Sequence, residues 1–144
     1  MDPIIDVAHV IQLAIAPVFL LTGVGSLLGV MTSRLGRVID RGRHIESIYV
    51  SLKASARCHA DEELHALAKR ARLASWAINC STAAALLVCA VIATLFIDAV
   101  IGKDLKWLVG AFFFMAMLLL IAGLVCFLRE VYVATHTVYI GPPR

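Results

Sequence analysis

The chain has 144 residues, of which 61% are hydrophobic and 16% charged, with a mean hydropathy of +0.90 and a formal net charge of +3. Soluble domains are roughly half apolar and a quarter charged, so this composition excludes an ordinary water-soluble globule. The positive charge is concentrated in one segment, which makes it a signal of membrane topology and gives no support to nucleic-acid binding.

The apolar residues fall in three runs, near 10–31, 73–101 and 107–128. At 1.5 Å per residue about 22 residues cover roughly 33 Å, enough for a hydrocarbon core of about 30 Å. The expected fold is therefore an all-α integral membrane protein in one domain. Its transmembrane helices lie at about 7–33, 73–101 and 107–128, a cytoplasmic antiparallel helical hairpin at about 34–72, and a cytoplasmic tail at 129–144. The start Met1-Asp2-Pro3, with Asp6 following, places no positive charge before the first run, so span one is expected to stay in the mature chain.

Span one is the most informative segment. Thr22, Ser26, Gly29, Ser33 and Gly36 follow steps of four and three and share a helix face, with Gly25 beside it. Small residues let helix backbones approach closely in lipid, so the leading reading is a packed helix interface. The alternative is a small, hydroxyl-bearing lining of a water-filled path about a symmetry axis. Gln12 is an amide at membrane depth, where it must face protein or water, either bonded to a neighbouring helix or at a gating position. Pro17 leaves the Leu13 carbonyl without its helical donor and predicts a kink. Asp2, Asp6 and His9, with Asp98 and Asp104, read as solvated termini or as an acidic outer rim.

Arg34, Arg37, Arg41 and His44 then form a basic stripe, either a solvated face against anionic lipid headgroups or, around an axis, a ring that concentrates anions. Asp40 and Glu46 are close enough in sequence to pair with it locally. Arg43, Lys53, Arg57, Lys69, Arg70 and Arg72 lie in the same inter-span segment, against Lys103 and Lys106 on the opposite side. The positive-inside rule predicts an outside N-terminus and a cytoplasmic C-terminus beginning at Arg129.

Within that segment Leu35, Val38, Gly42, Ile45, Tyr49, Leu52 and Ala56 alternate steps of three and four, the seam of a helix packed on a helix. Leu64, Leu67, Ala71 and Ala74 repeat the spacing on the return, with a turn expected at 58–61 and Asp61 as N-cap. A first helix from about 9 to 57 would be roughly 70 Å long.

In span two Ser75, Asn79 and Thr82 mark a polar face expected to bond to span one or, alternatively, to complete a solvated inner vestibule, with Ser81 on another face. Trp76 and Trp107 fit interfacial anchors. Cys58, Cys80, Cys89 and Cys126 sit where no stable disulfide is expected. The chain lacks a phosphate-binding loop, a His-Glu-x-x-His pair and a nucleophile elbow, so it is read as a non-enzyme with no cofactor. Cys58, His59, Asp61 and His65 lack the paired spacing of a zinc site, and no metal is expected.

Gln12, Pro17, Phe19-Leu20-Leu21, Gly23, Gly25, Thr32-Ser33-Arg34-Leu35, Arg37 and Asp40-Arg41 make a pattern that resembles an uncharacterised bacterial family of small three-span inner-membrane proteins, a domain of unknown function. The resemblance implies a bacterial inner-membrane location and carries over no catalytic or binding residue. The functional expectation is a homo-oligomeric ion channel or transport protein with span one around the central axis. The alternative is a non-conducting scaffold or signalling partner whose hairpin binds another protein. The expected partners are the lipid bilayer, its anionic headgroups and further copies of the chain.

Overall fold

The computed structural model describes residues 3–49, 54–101 and 105–137, and all of its secondary structure is helical: α1 (Pro3–Tyr49), α2 (Ala54–Ile101) and α3 (Lys106–Thr137). By length these helices are about 70, 72 and 48 Å. All three are long and apolar enough to cross a membrane, with their most apolar stretches at mean hydropathies of 2.1, 2.6 and 2.8. Only 17%, 22% and 11% of those stretches is buried within the chain, so most of their apolar surface faces outward, as in a multi-pass membrane protein. Phe19, Leu86, Val100, Phe114 and Leu128 all point away from the fold. Trp76 and Trp107 are 60% and 81% exposed, as anchors facing a bilayer interface would be.

α2 lies between the other two helices and packs extensively on both, whereas α1 and α3 scarcely touch. The packing follows seven-residue steps. In α1 the buried row is Pro17, Val24, Met31, Val38 and Ile45. In α2 it is Ala60, Leu67, Ala74, Ser81 and Val88, joined from Ala77 by a second row of Ala77, Ala84 and Val91 where α3 also packs. In α3 it is Ala116, Gly123 and Glu130. A strict seven-residue repeat is the signature of shallow-angle, left-handed helix packing. The small side chains of α2 and α3 bring those two helices closest at Gly123, where a Cβ would lie 2.8 Å from Ser81 Oγ and 3.1 Å from the Ala77 carbonyl oxygen.

Beyond the level of Arg70, α1 and α2 continue as an antiparallel pair. Val38, Ile45, Ala60 and Leu67 form its buried centre, flanked by Tyr49, Leu64 and Ala71. Val38, Ile45 and Tyr49 of the expected seam pack there, but Ala56 belongs to α2 and the turn is displaced. α1 ends at Tyr49 and α2 has begun by Ala54, so residues 58–61 are helical and Asp61 does not cap a helix. Burying Ala60 beside Ile45 requires that first stretch of α2 to be helical, and the Asp61 carboxylate instead accepts a 3.2 Å hydrogen bond from the Tyr49 hydroxyl. That bond is the largest reason the Tyr49 phenol lies above its ordinary pKa of 10.0.

α1 runs through Pro17 as one helix, and Pro17 is buried beside Leu13, Val91, Leu95, Val109 and Phe113. Leu105 starts α3, accepting bonds from the Leu108 and Val109 amides while its own amide donates to Asp98 at 3.0 Å. Asp2, Leu52, Lys53, Lys103, Asp104 and the segment 138–144 lie outside the described residues.

Candidate functional site

The sequence-derived candidates divide into two surfaces of α1. The first is opposite α2. With Pro17, Val24, Met31, Val38 and Ile45 turned into the fold, the residues about half a turn away are Gln12, Ile15, Phe19, Thr22, Ser26, Gly29, Ser33, Gly36, Asp40 and Arg43. They too alternate steps of three and four, so α1 carries a second seam on its far side. Its outer part has Ile15 and Phe19, and from Thr22 to Gly36 it holds only small residues. Gln12, Thr22, Ser26, Gly29 and Ser33 are all exposed and Gly36 is half-buried. A Cβ added at Gly23, Gly25, Gly29 or Gly36 would meet nothing within 4 Å outside α1, so nothing among the described residues requires those glycines. Thr22 Oγ1 donates to the Val18 carbonyl and Ser26 Oγ to the Thr22 carbonyl, each at 3.2 Å, so both hydroxyls are satisfied inside their own helix.

The second surface is the basic stripe, and it does not share that direction. Arg37 follows Gly36 by one residue and is turned about 100° from it. Arg34 and Arg41 face α2 and α3 and find acids there. Glu130 of α3 is 1% exposed and accepts from Arg70 Nη2 at 3.0 Å and Arg70 Nε at 3.3 Å through Oε1, while Arg34 Nε lies 3.4 Å from Oε2. Arg34 also stacks over the Phe127 ring, 5.6 Å from its centroid. This cluster joins all three helices at the end of their common bundle from which the α1–α2 pair continues. Arg41 Nε donates to Glu63 of α2 at 2.8 Å. His44 is exposed, and its carbonyl accepts from Ser47 Oγ. Arg34, Arg37, Arg41 and Arg70 together line an open groove of about 480 Å³, floored by Val38 and Leu67.

Two sequence expectations change here. Thr82 Oγ1 bonds to the Ile78 carbonyl of its own helix, and Ser75, Asn79 and Thr82 are exposed. The polar residue of span two that meets span one is Ser81, fully buried and 3.9 Å from Met31 Sδ. The pairing of the stripe is also across helices, to Glu63 and Glu130, and Asp40 and Glu46 are exposed. Glu130 escapes sequence reasoning because Arg70 precedes it by sixty residues. Its one local signal is its seven-residue step from Gly123 and Ala116, which puts an acid on the packing row of α3.

A family model described as "Protein of unknown function (DUF2721)" matches residues 14–140. The match spans most of the chain, and the protein belongs to that family. No curated protein and no solved structure matches it.

Proposed function

We propose that this member of the DUF2721 family is a homo-oligomer assembled through α1, with span one of each copy around a central axis, and that the assembly is an ion channel or transport protein. The reading places it in the bacterial inner membrane, N-terminus outside and hairpin and C-terminus cytoplasmic, in line with the Lys and Arg residues between the first two spans. It assigns no enzymatic step, cofactor or metal.

One observation carries the reading. α1 has two seams, and among the described residues only one is packed; the other, from Gln12 to Arg43, is unpartnered over its small-residue half among those residues. Glycine and serine in a helix interior cost stability relative to alanine, and among the described residues nothing offsets that cost. Close approach of another helix would, and symmetric copies supply an identical face. Three helices in a single layer around α2 enclose no path of their own, so conduction requires several copies. The basic stripe is left out of the axis, because Arg34 and Arg41 are turned toward Glu130 and Glu63 of the same chain.

A second reading rests on the Thr22 and Ser26 hydroxyls. Being satisfied within α1, they suit a dry contact between helices as well as a wet one, which favours a non-conducting scaffold or signalling partner whose hairpin binds another protein. Ion flux in liposomes containing the purified full chain separates the two. The channel reading expects a flux changed by Gln12→Leu or Ser26→Leu. An oligomer without flux across varied ions, voltage and pH contradicts conduction and supports the scaffold.

A further inference from the structure

The geometry points to a phosphate-binding groove at the inner end of the helix bundle, formed by Arg34, Arg37 and Arg41 of α1 with Arg70 of α2. This inference is independent of whether the protein conducts. Four guanidiniums share one open groove of about 480 Å³, and two carboxylates contact them: Glu130 bridges Arg34 and Arg70, and Glu63 pairs with Arg41. The groove therefore keeps a surplus of positive charge. Arg37 is exposed and has no acid within ion-pair distance among the described residues.

The arrangement is built more firmly than a solvated basic face. Glu130 is buried and holds Arg34 and Arg70 from beneath, and Phe127 stacks under the Arg34 guanidinium. Arg41 pairs with Glu63 in an exposed contact at the side of the groove. Such fixed forks suit the tetrahedral oxygens of a phosphate, which arginine binds in pairs of parallel hydrogen bonds. The exposed Arg37 completes the site from its open side. Val38 and Leu67 form an apolar floor that lowers the local dielectric and strengthens those bonds. Two sources of phosphate reach this position. Arg34 directly follows the first apolar span and Arg70 shortly precedes the second, which is the depth of a lipid headgroup. The groove is also open to water, so a free phosphate can enter.

The test uses the purified full chain in neutral detergent, titrated with inorganic phosphate in one arm and with phosphatidylglycerol in the other, phosphatidylcholine serving as the zwitterionic comparison. Binding is read by equilibrium titration and by the shift of the thermal unfolding midpoint. The expected result is saturable binding in at least one arm, weakened about tenfold by Arg37→Gln and by Arg41→Gln and unchanged by Lys69→Gln, which removes a charge outside the groove. Binding in the lipid arm alone assigns a headgroup site, and binding in the phosphate arm assigns a soluble ligand. Failure of both probes to bind, or equal losses in Lys69→Gln and Arg37→Gln, overturns the assignment.

Discussion

Glu130 is a buried acid where all three helices meet. A buried carboxylate between two guanidiniums is costly to strip of its partners, and removing one member of such a pair typically costs about 3–5 kcal/mol. Arg70→Ala removes the closer of two partners and leaves Glu130 with Arg34, so it should lower stability by about 1.5–3 kcal/mol, whereas Arg37→Ala, which touches no buried charge, should change it by less than about 0.5 kcal/mol. Denaturant unfolding in detergent measures both. Two glycines give a matched contrast. At Gly123 a Cβ falls 2.8 Å from Ser81 Oγ and against backbone, so Gly123→Ala should cost about 1–3 kcal/mol. At Gly29 there is open space, and Gly29→Ala should leave the single chain as stable or gain up to about 1 kcal/mol from helix propensity. The same unfolding curves, with the oligomer dissociated, check the sign of each. The Arg34–Glu130–Arg70 cluster was invisible as a unit in the sequence because its members come from three helices. Arg34 alone could be picked out, from its place at the end of span one.

At the scale of elements, periodicity carried most of the information. The alternation from Leu35 to Ala56 marks the packed side of α1 at Val38, Ile45 and Tyr49, because a seam needs only local spacing to be recognised, but it runs past the end of α1, since Ala56 lies on α2. The turn was misplaced because Asp61, followed by Glu62 and Glu63, has the chemistry of a helix start, and only the partnership of Ala60 with Ile45 reveals that α2 is already under way. Of the two readings of the polar face of span two, the bond to span one is the one the packing does not bear out. Serine and threonine can satisfy themselves on their own helix, as Thr82 and Thr94 do, so a polar stripe does not identify the side that packs. The hairpin beyond Arg70 depends on few buried side chains. Ile45→Ala should destabilise it by about 2–5 kcal/mol, seen as faster amide exchange across 38–67 with protection in 107–128 retained.

For the molecule as a whole, the two seams of α1 organise the account. One seam binds the chain together through α2, and in the proposed assembly the opposite, small-residue seam meets another copy. A membrane helix with both faces engaged would tie the three-helix layer into a ring, while α3 and the outer side of α2 face lipid. Gly29→Leu should accordingly leave the monomer folded and break the assembly, which size analysis in detergent would record as a shift to the single-chain species. The most direct test is disulfide cross-linking in native membranes of single cysteines in a background where Cys58, Cys80, Cys89 and Cys126 are replaced. Ser26→Cys and Ser33→Cys should form covalent dimers readily, and Val18→Cys and Val30→Cys, on the flanks of α1, should not. Equal cross-linking at all four positions, or cross-linking confined to the flanks, would contradict assembly through the outward seam.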